Sequence, residues 1–430
     1  METWGGIECS LNRIGNVYQD QLAYIDHYNR IDDLKHICDL GIKTIRYPIL
    51  WEKNWPDKNV EPVWEVAAHL AYLKVQNINV IAGLVHHGSG PDYASIQSTD
   101  FASQLAFYAQ KVALQFPWIN DYTPINEPLT TARFCGLYGH WYPHQRNCKS
   151  FLQILINECK ATILAMQAIK LVNPAARLIF TEDLTQIHGT PLLREQVNFE
   201  NERRWLSIDL LCGLVKPGHA LWNYVLDSGI LESELDFFIN NPYPPDVLGF
   251  NYYITSERFL DEELSLYPSH YYGGNGKTQY ADVEAIRSDK TEIAGPKTLL
   301  RLAWERYHLQ MAITEAHLSC ETDDQLCWLN WIWKIASELE NEGVNMKAVT
   351  FWSLFGAHGW DQLLTAGKGK YEPGAFDCSL GTPNATALVA LIKNFGQQNT
   401  NENDNISELG WWQKEDRFKH RSISIVQETL

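Results

Sequence analysis

Two glutamates each follow a short apolar run and could act as catalytic carboxylates. Glu127 lies in the segment DYTPINEP, directly after Asn126, and Glu315 ends the segment MAITE. A pair of facing carboxylates can cleave a glycosidic bond, since one protonates the leaving oxygen and the other attacks the anomeric carbon. The alternatives are a polar turn at Glu127, or two structural carboxylates held in ion pairs. The elements that carry these residues decide between the interpretations.

Short β-rich runs alternate with longer amphipathic segments along the chain. The runs that predict strands are residues 3–8, 43–49, 79–87, 121–126, 177–183, 246–253, 311–315 and 348–353. They are apolar on both faces, as the strands of a buried parallel sheet are. A doubly wound open sheet is the main competitor, but no glycine-rich phosphate loop follows any of the runs. The pattern therefore predicts an α/β fold, a (β/α)₈ TIM barrel.

Two segments are longer than one strand–helix unit requires. Residues 189–245 follow the fifth predicted strand, and residues 255–298 form a polar stretch after the sixth. We therefore expect a single barrel domain over residues 1–397, with long loops after strands five and six. Residues 398–430 are expected to form a polar tail, packed in part by Trp411 and Trp412.

Composition narrows the class of partner. A net charge of −17 argues against nucleic acid or an anionic membrane, because phosphate binding needs clustered lysine and arginine. The start of the chain has no basic and apolar leader, and no stretch is apolar over the roughly 18 residues that a membrane span needs. The nine cysteines show no zinc-type spacing and are expected to be reduced thiols. We expect a cytoplasmic protein without metal or organic cofactor, acting on a small substrate.

The carboxyl ends of the strands are the place to test the carboxylate interpretation, because the active site of a TIM barrel lies there. Nearly all residues at the predicted ends are polar or aromatic. They include Glu8, Asn12, Arg46, His86, His87, Asn126, Glu127, Asn251, Tyr253, Glu315, Trp352, Trp360 and Asp361. The two glutamates end strands four and seven, on nearly opposite sides of the barrel. Arg46 and Tyr253 are candidate donors that would keep an attacking carboxylate ionised.

Five segments, in the same order along the chain, resemble the signature segments of glycoside hydrolase family 1, the β-glucosidase family. They are RYPILW, TPINEP, DVLGFNYY, MAITE and FWSLFGAHGW. The resemblance extends from about Trp4 to Phe395. It implies a (β/α)₈ barrel that hydrolyses β-glycosides with retention of configuration, on a glucoside-, galactoside- or fucoside-like sugar.

The resemblance also implies roles for single residues. Glu127 would be the general acid/base and Glu315 the nucleophile, flanked by Arg46 and Tyr253. Asn126 would bind the sugar 2-hydroxyl.

Five further positions match residues that bind the sugar or support the site in that family. Asn251 would support the site, His86 would bind the sugar and Trp352 would lie under its ring. Trp360 is retained beside the sugar, and Asn12 stands where the family usually has a glutamine that binds the 3- and 4-hydroxyls.

Three departures from the family pattern affect the part that contacts the outer edge of the sugar. His87 replaces a tryptophan after strand three, and Ala316 with His317 replaces Asn-Gly after the nucleophile. Gly359 replaces a glutamate that holds the 4- and 6-hydroxyls. Loss of that carboxylate favours a sugar without a 6-hydroxyl, such as a deoxyhexose. A structure that places Asp361 or Glu8 in the same space would contradict this hypothesis.

Two other functions stay open from the sequence. One is a barrel that binds sugars or a partner without hydrolysis, in polysaccharide or nucleotide-sugar metabolism. The other is a transglycosidase that passes the sugar to an alcohol. The chain also resembles a subgroup in which such a barrel precedes a dTDP-4-dehydrorhamnose reductase-like domain, with the segment GWW at the junction. Since no glycine-rich nucleotide loop follows residue 410 in this chain, a separately encoded sugar-nucleotide reductase is an expected partner.

Overall fold

Eight parallel strands close into a barrel in the computed structural model, which describes residues 1–397, 409–415 and 417. In chain order the strands are β1 (Glu2–Gly6), β2 (Thr44–Pro48), β3 (Asn79–His86), β4 (Asp121–Asn126), β5 (Arg177–Asp183), β6 (Val247–Tyr252), β7 (Met311–Ala316) and β8 (Met346–Phe351). Each pairs with its neighbour in sequence, and β1 pairs with both β2 and β8 to close the barrel. The predicted TIM barrel and all eight predicted strands are confirmed.

Helices surround the barrel. The helix that follows each strand in turn is α1 (Asp33–Asp39), α2 (Ala67–Val75), α3 (Phe101–Gln115), α4 (Cys148–Val172), α5 (Glu232–Asn240), α6 (Gly295–Tyr307), α7 (Thr322–Asn341) and α8 (Leu388–Gly396). Further helices lie at Gln21–Tyr24, Trp51–Asn54, Pro128–Ala132, Arg194–Arg203, Leu206–Leu211 and Trp222–Asp227.

The barrel interior is apolar at one end and polar at the other. The apolar layer lies within the first three residues of six strands and consists of Trp4, Ile81, Ile179, Val247, Ala312 and Ala348. Outside, the apolar faces of the helices pack against the sheet, so both faces of every strand are covered. The carboxyl ends of the strands are thereby left as the place where polar side chains can meet.

The segments after β5 and β6 are more ordered than loops. Residues that we expected to form a polar loop after β6 instead form the strands Glu257–Asp261, Tyr272–Gly274 and Gln279–Glu284, which join Gln186–Gly189 in a four-stranded sheet. The reason is an alternating pattern hidden by the overall polarity. Ala281 and Val283 pack on Phe259 in a small apolar cluster, while Asp282 pairs with Arg258 across the strands.

The described part of the tail contacts α7. The Trp412 ring lies 5.1 Å from that of Trp328 on α7, and the Trp411 amide donates to Asp324. The guanidinium of Arg287 lies 4.7 Å from the centre of the Trp411 ring. Most of the predicted tail, including the charged residues after 417, lies outside the described residues. The boundary at residue 397 stays a prediction.

Across residues 1–397 and 409–415, none of the helices has both the length and the apolar character to cross a membrane.

Candidate active site

Glu127 and Glu315 both lie at the carboxyl end of the barrel and are nearly buried. Their exposed fractions are 5% and 4%. Glu127 directly follows β4 and has a left-handed backbone, with φ of 45°, before the short helix that begins at Pro128. Its amide donates to the Thr181 carbonyl of β5 at 3.1 Å. Glu315 lies within β7, where the pairing with β6 shifts register. These local irregularities set the position of each carboxylate.

Arg46 connects three strands at the site. One Nη atom donates to Glu315 Oε1 at 2.8 Å and to the Thr314 carbonyl at 2.7 Å, while the other donates to Asn126 Oδ1 at 2.6 Å. The guanidinium also lies 4.8 Å from the centre of the Trp352 ring. The planar fork of arginine allows it to hold all of these partners at once.

Each catalytic candidate has its own supporting donor from the end of β6. The Tyr253 hydroxyl donates to Glu315 Oε2, and Asn251 Nδ2 donates to Glu127 Oε1 at 2.6 Å. The Thr314 hydroxyl donates to Asn251 Oδ1 at 2.7 Å, which fixes the orientation of that amide. Both carboxylates are therefore held in defined positions.

The electrostatic surroundings of the two glutamates differ. Burial raises the pKa of Glu127 well above its usual range, and the nearby charge of Glu315 raises it further. Burial also raises the pKa of Glu315, to about 7, but the Arg46 charge and the Tyr253 hydroxyl oppose this rise. The pKa of Glu127 therefore lies above that of Glu315. This difference favours the proton on Glu127 and the charge on Glu315, as a general acid and a nucleophile would require.

A flat platform lies next to the carboxylates. The rings of His86 and Trp352 are stacked, with centres 5.5 Å apart and planes 8° from parallel. Gly6 makes this position of Trp352 possible, because a Cβ at residue 6 would lie 2.5 Å from the indole. The Trp352–Ser353 peptide bond is cis. A small cavity lies against this platform, lined among others by Arg46 and Asn126.

His87 contacts Glu127. Its Nε2 lies 3.7 Å from Glu127 Oε2, and its Nδ1 lies 3.0 Å from the Thr131 hydroxyl. Burial and the Arg46 charge lower the pKa of His87 to about 3, so the ring is neutral. Burial favours the neutral form of both Glu127, whose pKa it raises, and His87, whose pKa it lowers, so this contact does not require an ion pair.

The outer wall of the site has polar atoms without hydrogen-bond partners among the described residues. This wall is formed by Glu8, Asn12, Trp360 and Asp361. Asn12 Nδ2 donates to the Leu364 carbonyl at 3.0 Å, but Asn12 Oδ1 and Asp361 Oδ1 are buried without a partner in the described chain. The Trp360 indole donates to Glu8 Oε2 at 3.0 Å. A carboxylate thus lies beside the tryptophan that follows Gly359, although it comes from β1.

No group of three or more histidine, cysteine, aspartate or glutamate side chains within residues 1–397 and 409–415 is arranged to hold a metal ion. The site residues therefore have to be interpreted by their mutual contacts.

The structure brings most of the predicted site residues into one connected group. Arg46, Asn126, Glu127, Asn251, Tyr253 and Glu315 are linked by hydrogen bonds, and His86 and Trp352 pack beside them. Asn12 and Trp360 lie in the outer wall, where the side-chain amide of Asn12 donates to a backbone carbonyl. The sequence placed His87 and Glu8 at strand ends but assigned neither of them a role in the site. Their positions at strand ends were the signal available, but a contact such as Glu8 to Trp360 was not.

No protein-family model matches the chain. Among solved structures, it is similar to a Thermotoga maritima family 1 glycoside hydrolase in complex with a cyclophellitol analogue, with 17% identity, coverage of 93% of this chain and 97% of the other, and a TM-score of 0.73. A T. maritima β-glucosidase in complex with deoxynojirimycin has 17% identity and a TM-score of 0.72, and the match covers 93% of this chain and 98% of the other. The AHE enzyme from Alicyclobacillus herbarius has 18% identity and a TM-score of 0.71, and the match covers 87% of this chain and 88% of the other. At this identity the similarity shows a shared fold over nearly the whole chain.

Proposed function

We propose that this protein is a retaining β-glycoside hydrolase that acts on a β-linked monosaccharide glycoside. The observation that carries the proposal is the unequal environment of two buried carboxylates at the carboxyl end of one barrel. Glu315 has a cation and a phenol as donors, whereas Glu127 has neither. The family 1 glycoside hydrolases with the same fold support it.

The first step forms a glycosyl-enzyme ester. A Glu315 carboxylate oxygen attacks the anomeric carbon as the bond to the aglycone oxygen breaks, and the proton of Glu127 passes to that oxygen. The aglycone leaves as a neutral alcohol. Asn126, held by Arg46, donates to the sugar 2-hydroxyl region, where a hydrogen bond strengthens in the transition state.

The second step restores the enzyme. Glu127, now ionised, takes a proton from water as the water oxygen attacks the anomeric carbon, and the ester bond to Glu315 breaks. The sugar is released with its original configuration. His86 and Trp352 would form the surface on which the sugar ring lies, and Trp360 and Asn12 its outer wall.

Release of dinitrophenol from a panel of aryl β-glycosides tests the proposal. The panel contains the glucoside, galactoside, fucoside, xyloside and mannoside. Wild type should be active on at least one sugar, and Glu315→Gln should lower kcat/KM by about 10⁴-fold or more. Glu158→Gln is the matched control, because Glu158 is a buried glutamate on α4 outside the site.

A 2-deoxy-2-fluoro aryl glycoside tests the covalent step directly. It should attach the fluorosugar to the peptide that contains Glu315, as measured by mass spectrometry. Wild type and Glu315→Gln that are equally inactive on every sugar would contradict the proposal and favour a non-hydrolytic sugar-binding barrel. Transfer of the sugar to an added alcohol, in place of release into water, would identify a transglycosidase.

The cellular location and the partner protein are further predictions. The nine cysteines form no disulfide, which is compatible with the reducing cytoplasm that we propose. We also propose a separately encoded sugar-nucleotide reductase as a partner, on the resemblance of the GWW segment alone.

A further inference from the structure

Glu8 is a third buried carboxylate at the candidate site, and the two-step mechanism does not use it. It follows β1 by two residues and has an exposed fraction of 2%. Its Oε1 accepts from the Ser10 amide at 2.8 Å, and its Oε2 accepts from the Trp360 indole at 3.0 Å. Its own amide donates to the Ser353 hydroxyl at 2.8 Å, which anchors the backbone.

The hydrogen-bonding capacity of Glu8 is only partly filled. An ionised carboxylate has about four acceptor sites, and two are occupied here. Within residues 1–397 and 409–415, no lysine, arginine or histidine nitrogen makes an ion pair with Glu8, in contrast to Glu315 with Arg46. Because a buried carboxylate is costly unless donors surround it, the free acceptor sites call for hydroxyl or amide donors from a ligand.

Glu8 lies in the wall that encloses the two catalytic candidates. Trp360, which it holds, packs against His87, with ring centres 5.6 Å apart, and His87 contacts Glu127. On the other side, the negative charge of Glu8 contributes to the raised pKa of both Tyr253 and Glu315. Glu8 is therefore close enough to Glu315 to affect its charge, and it is connected to Glu127 through Trp360 and His87.

The loop that carries Trp360 is itself held in place. The Gln21 side chain donates to the His358 carbonyl at 2.8 Å and accepts from the His358 amide at 2.9 Å. A fixed Trp360 in turn fixes the orientation of the Glu8 carboxylate. Such preorganisation is what a residue that distinguishes ligands requires.

We propose that Glu8 is a specificity residue that accepts hydrogen bonds from sugar hydroxyls on the edge of the ring beside Trp360. The proposal rests on the hydrolase function above and names its substrate class, a fully hydroxylated pyranoside. A carboxylate only accepts, and a deoxy position would leave its acceptor sites buried and unfilled. Glu8, two residues after β1, would supply the carboxylate that the chain lacks at Gly359, and under this proposal a deoxyhexose is no longer the expected sugar.

The rival explanation is structural. Glu8 would serve only to join the Ser10 amide to the Trp360 indole, and both bonds would be needed for any sugar. The two explanations differ in one measurable respect. A structural bond affects all sugars by the same factor, whereas a specificity residue affects only sugars that carry the contacted hydroxyl.

Aryl β-glucosides that lack the 3-, 4- or 6-hydroxyl, compared with the complete glucoside or galactoside, provide the test. Wild type should prefer the complete sugar over at least one deoxy analogue by about 10- to 100-fold in kcat/KM. Glu8→Gln should reduce that ratio to a few-fold, because it lowers kcat/KM for the complete sugar. Glu8→Asp should give an intermediate ratio, and the control Glu158→Gln should leave it unchanged.

The outcomes separate this proposal from the hydrolase proposal. An active wild type whose ratios are the same in Glu8→Gln overturns the role of Glu8 and leaves the hydrolase in place. A wild type inactive on every glycoside overturns the hydrolase. Calorimetry with deoxynojirimycin and its deoxy analogues then decides on Glu8, because equal binding of all, or no binding, overturns the specificity role as well.

Discussion

The surroundings of Glu127 and Glu315 differ from the outer wall of the candidate site in how completely their polar atoms are hydrogen-bonded. Glu315 accepts hydrogen bonds on both carboxylate oxygens, from Arg46 and Tyr253. Glu127 accepts on Oε1 from Asn251, which is itself oriented by Thr314. In the outer wall, Asn12 Oδ1 and Asp361 Oδ1 have no partner in the described chain, and Glu8 has spare acceptor sites. The chemistry is thus built in advance, while the wall keeps polar atoms that a substrate would satisfy.

After loss of the proposed nucleophile Glu315, the largest effect is expected from removing the proposed acid/base, Glu127. We expect Glu127→Ala to lower kcat/KM for phenyl β-glycosides by about 10³-fold, because their leaving oxygen needs a proton. Dinitrophenyl glycosides need no such proton for the first step and should lose far less in kcat/KM. Initial rates with both leaving groups measure the difference. Equal losses would contradict the role of Glu127 as acid.

Arg46 is the next test of the surroundings of the two glutamates. Lysine keeps the charge but cannot donate to Glu315, the Thr314 carbonyl and Asn126 together. We expect Arg46→Lys to lower kcat by about 10²-fold, the loss typical of one preorganised donor at a reacting group. Circular dichroism and a thermal melt serve as controls for folding. Unchanged kcat in a folded variant would show that the fork is not required.

Tyr253 offers a test by pH. Its hydroxyl lowers the pKa of Glu315 by donating to the ionised form, so Tyr253→Phe should raise that pKa. Activity requires ionised Glu315, and the acidic limb of the pH profile of kcat/KM should therefore move to higher pH. The alkaline limb, which reports Glu127, should move little. A profile whose acidic limb stays in place would contradict the assignment of Glu315 as nucleophile.

The smallest effect is expected in the outer wall. Asn12→Ala removes one bond to the Leu364 carbonyl and an oxygen that has no partner, so the free energy of unfolding should change by only about 1 kcal/mol. If Asn12 contacts the sugar, KM should rise by about 3- to 10-fold with kcat nearly unchanged. Chemical denaturation and steady-state kinetics measure the two quantities. A large fall in kcat would mean that Asn12 acts together with Glu127 and Glu315 in the reaction itself.

The fold was predictable because its signal is local. Each barrel strand is a short run that is largely buried on both faces. Residues 121–126 and 177–183 were predicted with the observed bounds. The sheet after β6 was not, because its alternating residues, such as Ala281 and Val283, lie in a segment whose overall polarity resembles a loop.

The placement of Glu127 and Glu315 at one end of the barrel was predictable for the same reason. Glu127 and Glu315 end strands, and the carboxyl ends of barrel strands face one site whatever the helices outside them do. The outer wall was not predictable. Glu8 and Trp360 are 352 positions apart, and their contact depends on where the loop after β8 folds back over β1.

By itself, the sequence determined the eight strands, their order, and the two glutamates that the strands carry to one end. The physical reason is that hydrophobic pattern and strand period act over a few residues. The tertiary structure alone decided that Arg46 bonds Glu315 and Asn126, and that Glu8 holds Trp360. These contacts join distant segments within about 3 Å, a precision that only closure of the barrel and packing of its loops can set.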